Sequence, residues 1–169
     1  MYYLAVRQFA RSLRNLDAIL EKAINHAQAH NFDPNNFCQL RLFPDMLPFI
    51  VQVRIACDNA KAAAANLSGK ENPKHEDNET TMAELRTRIS RCLAYLDSFT
   101  ASDFERTTAK TVIKMPRPAG KGLLVDEYLF GRQFPNFYFH VTTAYDLLRA
   151  GGVPLGKADY LGPLDYVDA

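Results

Sequence analysis

The sequence predicts an all-α fold, an up-down four-helix bundle, with a short β-hairpin or extended excursion between the third and fourth helices. Three observations predict it. Four long segments carry apolar residues at steps of three and four, the period of one helix face. No alternation of strand and helix patterns runs along the chain, so a parallel α/β sheet is not expected. The chain has 169 residues, 47% hydrophobic and 23% charged, enough for one core and one domain. The expected unit is a single domain over 1–169, with 151–169 an extended C-terminal tail.

The first helix is expected over 4–29. Phe9, Leu13, Leu16, Leu20, Ala23 and Ala27 form one stripe, and Asn31, Asp33 and Pro34 end it. The second is expected to start near Asp45 as N-cap, with Pro48 in its first turn. Met46, Ile50, Val53, Cys57, Ala60, Ala64 and Leu67 give it a seven-residue apolar repeat, which suits nearly antiparallel packing. Gly69 supplies the stop. Residues 70–78 are polar, contain Pro73 and read as a loop.

Thr81 and Glu84 make the T-x-x-E signature of a capping box. They open a third helix whose stripe is Met82, Leu85, Ile89, Cys92, Leu96 and Phe99. Residues 111–115 are β-rich, 116–122 turn-rich and 123–125 apolar, the pattern of the hairpin. The fourth helix is expected over 126–149, with Phe134, Phe137, Val141, Ala144 and Leu148 facing inward. Pro135 lacks an N–H and should kink this helix or divide it in two.

Charge and composition exclude several classes. Twenty basic residues against nineteen acidic ones give a net charge of +1, so no electrostatic affinity for nucleic acid is expected. Arg7, Arg11 and Arg14 interrupt the N-terminal apolar run, unlike a signal peptide. No stretch reaches the roughly 18 apolar residues of a membrane helix, so no membrane partner is expected. Cys38, Cys57 and Cys92 include no CxxC pair, which argues against a disulfide framework or thiolate zinc site and for a reducing cytoplasm.

The residues that could carry chemistry are few. His26 and His30, four apart, could share a metal or complement a helix dipole. His75, in the charged loop, is expected to be solvated. His140 lies roughly 70° from the centre of the fourth stripe, at about 100° per residue, where a side chain can line a pocket. Asn136 is one turn earlier on the same side, amid a strongly aromatic stretch that includes Phe134, Phe137, Tyr138, Phe139 and Tyr145. On the second helix, Gln52, Arg54, Asp58 and Lys61 offer polar groups. Intrahelical pairing accounts for Arg54, Asp58 and Lys61; a polar pocket facing the fourth helix is the sharper possibility. The chain has no GxGxxG, Walker, GxSxG or HExxH motif.

Residues 135–145 (PNFYFHVTTAY), with 147–149 (LLR) and 152–155 (GVPL), resemble an uncharacterised subfamily of the DinB/YfiT-like proteins. So do 1–3 (MYY), 44–46 (PDM) and 52–58 (QVRIACD) with Ala60 and Lys61. The resemblance implies a four-helix bundle, commonly dimeric. Better-known members bind a divalent metal through three histidines, one on the second helix and an HxxxH pair on the fourth. Some are thiol-dependent transferases.

This chain departs from that pattern. His140 matches the second histidine of the pair, Asn136 stands where the first would be, and no histidine lies between Gln52 and Ile55. The metal triad is therefore degenerate, and an amide oxygen is a poor replacement for imidazole on zinc or nickel. Two readings follow. One is a homodimeric bundle binding a small molecule or partner in an aromatic-lined pocket near His140, with Asn136, Tyr138, Asp58, Gln52 and Arg54. The other is a diverged metal-dependent transferase or hydrolase, with His140, Asp58 and Asn136 around a weakly held Ni, Zn or Mn ion. A dimer interface through Phe137 or Tyr138 is a third use of the aromatic stretch.

Overall fold

The computed structural model describes residues 1–168; Ala169, the last residue of the expected tail, lies outside the described residues. The chain is mostly helical, with one two-stranded sheet. Four long helices carry it: α1 (Tyr2–Ala29), α2 (Phe49–Ser68), α3 (Met82–Asp97) and α4 (Phe134–Ala150). The strands β1 (Val112–Lys114) and β2 (Gly122–Leu124) pair antiparallel between α3 and α4, with Ile113 opposite Leu123. A short helix, α5 (Lys157–Leu161), follows α4.

The apolar stripes become the core. Phe9, Leu13, Leu16, Leu20, Ala23 and Ala27 of α1 are all buried. The α3 stripe from Met82 to Leu96 is buried too, and Phe99 beyond it. The ring of Phe9 stacks on Phe134 and meets Phe137 edge-on, each at a centroid distance of 4.8 Å. Phe137 is thereby fully buried within the chain, so it cannot serve as the dimer surface considered above.

The helix ends follow local chemistry. The Thr81 hydroxyl accepts from the Glu84 N–H, and the Glu84 carboxylate returns to the Thr81 N–H at 2.9 Å, which satisfies two otherwise orphan donors. Gly69 closes α2 at φ 75°, a left-handed conformation that costs glycine no Cβ clash.

Two features differ from expectation, the start of α2 and the run of the tail, while the fourth segment divides as expected. Helix α2 begins at Phe49 with Pro48 as N-cap, not at Asp45. The ring of Pro48 disfavours helical backbone at Leu47, so the helix cannot extend back to Met46, which lies outside it and half-buried. The fourth segment divides as Pro135 demands: a π-helical turn, Glu127–Gln133, precedes α4, and Pro135 occupies the first turn of α4. Pro135 has no N–H to return to the Gly131 carbonyl, so an uninterrupted α-ladder cannot run through. The tail is not wholly extended. Its α5 docks on α1 through the Lys22–Asp159 ion pair and an Asn15 bond to the Tyr160 carbonyl at 3.1 Å.

Replacing Phe9 by Ala removes the ring on which two α4 aromatics rest. Denaturant unfolding should report a loss of about 3–5 kcal/mol, against less than about 0.5 kcal/mol for Leu4→Ala on the exposed face of the same helix.

Candidate functional site

Helix α2 presents amides at seven-residue intervals, Gln52 and Asn59 to α4 and Asn66 to the π-helical turn. Gln52 is buried and its Nε2 donates to the Leu47 carbonyl at 2.9 Å. Its Oε1 is thus turned to His140, whose Nδ1 lies 2.7 Å away. Nδ1 therefore carries the proton, and Nε2 of the neutral ring holds the lone pair. One level along, the Asn136 amide donates to Asn59 Oδ1 at 2.8 Å, and Gln133 donates to the Asn59 carbonyl at 3.2 Å. At the far end, the Asn66 amide donates to the Tyr128 hydroxyl at 2.8 Å.

The partners descend from 140 to 128 as α2 ascends from 52 to 66, so the two elements run antiparallel. The rungs at Gln52 and Asn59 satisfy buried groups whose unpaired burial would cost about 1–3 kcal/mol, whereas Asn66 is exposed. Burial pushes the His140 imidazole below its ordinary pKa and raises that of the Tyr128 hydroxyl.

A cleft of about 340 Å³ opens beside the ladder, between α2, the hairpin and the π-helical turn. Asn59, Asn66, Gln133 and Asn136 line its polar side. Lys114 and Arg132 bring positive charge, and Met115, Pro116 and Tyr128 are also in its lining. Gln52 and Asn136 were legible as candidates in the sequence. Asn59, Asn66, Gln133, Lys114 and Arg132 were not, although the seven-residue spacing of the 52–59–66 amides was a usable signal.

The other candidates go elsewhere. Asp58 touches the cleft, but its carboxylate accepts both bonds of Arg88 at 2.8 Å and meets Lys61 at 3.2 Å. Arg54 donates from Nε to Glu79 at 2.8 Å. Arg54 is not in the cleft lining, and Asp58 reaches it only at the edge of an ion cluster; both belong to that cluster, which binds the 70–79 loop to α2 and α3. Arg88, its side chain 1% exposed, is the centre, reaching Asp58, Asp77 and Glu79. Burial raises the pKa of Glu79, but Arg88 and Arg54 outweigh it and hold the carboxyl below its ordinary range.

His75, expected in solvent, is half-buried over this cluster. Burial first, then Lys61 and Arg88, push its pKa down. His26 and His30 pack ring against ring at 4.2 Å at the exposed end of α1. Tyr138 leaves His140 altogether: two residues earlier on α4, it turns towards α1, where Gln8 donates to its hydroxyl at 2.9 Å.

The donors do not fit a divalent metal. His140, oriented by Gln52 through Nδ1, keeps its Nε2 lone pair, but it is a lone imidazole: Asp58 is paired with two cations and Asn136 is bonded to Asn59. Among the described residues no three His, Cys, Asp or Glu side chains converge in a metal-holding arrangement. Nor, among the described residues, is any helix long and apolar enough to cross a membrane.

Comparison with known proteins decides the family. A domain of unknown function, DUF1993, matches residues 1–161. The chain belongs to the DUF1993 family. It is also similar to a solved DinB family member protein from Shewanella denitrificans, at 45% identity and a TM-score of 0.94, covering 99% of this chain and 95% of that one. No curated protein matches. The DUF1993 chain thus shares its fold with a DinB relative along almost its whole length.

Two measurements check the electrostatics. The unfolded imidazole protonates near its ordinary value of about 6.5, the buried His140 only at lower pH. Stability conferred by neutral His140 is full above that value and falls as pH drops from it through the folded-state value. In His140→Gln, the slope of unfolding free energy over that window should flatten. Arg88→Met should cost about 3 kcal/mol, the low end for a broken buried pair because Asp58 stays half-exposed. It should also reduce the acid sensitivity owed to Glu79, whose stabilisation is present above the ordinary carboxylate pKa and lost as pH falls through its depressed one.

Proposed function

We propose that the four long helices form an up-down four-helix bundle serving as a binding module for a small carboxylate- or amide-bearing molecule. The site is the cleft between α2, the hairpin and the π-helical turn, one helical turn from His140. The Asn59–Asn136 pair in its lining carries the reading. Amides there offer both donors and acceptors, and the adjoining ladder fixes their orientation before any ligand arrives. The Asp58 charge is already matched by Arg88 and Lys61, so Lys114 and Arg132 set the local charge and favour a carboxylate.

The ligand-binding reading goes with a homodimer in a reducing cytoplasm, without nucleic acid or membrane as partner. The three free, buried cysteines support the compartment, and the half-exposed rings of Phe130 and Phe139 offer apolar surface to a second copy. A metal-dependent transferase or hydrolase finds no support in the donor set.

Thermal-shift and calorimetric titration with glutamine, glutamate and succinate tests the assignment. At least one should bind saturably, and Arg132→Ala or Asn136→Ala should weaken it by roughly tenfold or more, the effect of losing one charge-assisted or buried hydrogen bond. Unchanged affinity in both variants, or no binding by any of the three, overturns the site. Stoichiometric Ni, Zn or Mn in untagged protein, lost in His140→Ala, would overturn it in favour of the metal reading.

A further inference from the structure

A cleft of about 700 Å³ lies along α1, on the side to which Tyr138 of α4 turns and away from the amide ladder. Arg7, Arg11 and Arg14 line it, spaced so that successive helical turns bring all three to one face of α1. The residues that break the N-terminal apolar run in the sequence thus converge on one groove. It continues into a recess of about 400 Å³ lined by Tyr138, Tyr160, Leu161 and Leu164; Gln8, Arg11 and Asn15 belong to both. One end is cationic, the other aromatic and aliphatic.

The charges within it are unequal. Asp97 takes Arg7 at 3.1 Å and Arg14 at 2.6 Å, and Asp165 lines the rim. Arg7 and Arg14 thus share a single carboxylate. Arg11 donates to the Pro163 carbonyl at 2.6 Å and, among the described residues, has no carboxylate partner. A guanidinium has five N–H donors, so Arg11 keeps a free edge at the junction of the two ends.

The walls are fixed. Tyr138 is held by Gln8 at 2.9 Å, the Tyr160 carbonyl by Asn15 at 3.1 Å and its hydroxyl by Thr142 at 3.0 Å. Helix α5 and the following residues, pinned to α1 in this way, form the recess's outer wall.

We propose that this groove is a second binding site, for a small aromatic oxyanion: a phosphate or carboxylate head on Arg11, flanked by Arg7 and Arg14, and a flat ring between Tyr138 and Tyr160. Guanidinium matches a two-oxygen head bidentately, and tyrosines pack against an aromatic body beyond what area burial gives. The site is independent of the cleft beside the amide ladder and shares no residue with it.

The test is an amide NMR titration of the full chain with phenyl phosphate, with inorganic phosphate as control. Saturable shifts should centre on Arg11, Tyr138 and Tyr160, with inorganic phosphate roughly tenfold or more weaker. Arg11→Ala should weaken phenyl phosphate roughly ten- to a hundredfold, the effect of a lost charged hydrogen bond, and Arg11→Lys by less. Arg11 is a helix-surface residue, and its substitution leaves the core intact. Equal affinity for the two probes means a bare cationic patch and overturns the proposal. So does unchanged affinity in Arg11→Ala, or the absence of saturable shifts. Shifts centred on Arg132 and Asn136 would assign the probe to the other cleft and overturn the second site while leaving the first.

Discussion

Everything in the α2–α4 half of the molecule depends on one constraint: polar groups carried into a helix interface must find partners there. Gln52, Asn59 and Asn66 could each meet water on an exposed helix. Where α2 is covered, Gln52 and Asn59 each pair with one group of their own segment, Leu47 or Ile55, and one of α4, His140 or Asn136; Asn66, exposed, meets Tyr128. An apolar interface tolerates sliding, since one leucine contact resembles the next. A ladder of specific donors and acceptors does not, because a slip of one turn would leave several amides unpaired at once. The ladder therefore sets the direction and register of α4 against α2, and with them the position of the adjoining cleft.

The same constraint bears on the lack of a metal-holding group of side chains among the described residues. A histidine triad needs three lone pairs aimed at one point. Here His140 donates from Nδ1 to an amide, Asn136 donates to Asn59, and Gln52 divides its two ends between His140 and a backbone carbonyl. These bonds hold the two helices in register, with His140 Nε2 left as their one free imidazole lone pair.

Between α2 and α3, charge does a different task. Arg88 enters the protein fully covered, which is tolerable because three carboxylates surround it. Through them it fastens a loop with almost no apolar residues onto α2 and α3. The loop owes its place to ion pairs, whereas the hairpin owes its own to Ile113 in the core and to its strand pairing.

The sequence by itself determined the helices, the hairpin, the capping box at Thr81, the left-handed stop at Gly69 and the division at Pro135. These are set by neighbours a few residues apart, through periodicity, backbone donors and ring geometry. It also marked His140, Gln52 and Asn136. The start of α2 was misplaced because Asp45 looked like a cap while the restriction imposed by Pro48 acts on the residue before it. Only the tertiary structure decided where side chains on different elements meet. Asp58 and Arg54 turn to Arg88 and Glu79, Tyr138 turns to α1, and α5 folds back over the arginine row. Each of those outcomes depends on the rotation of one helix against another, a quantity fixed by packing over the whole core and not by any local run of residues.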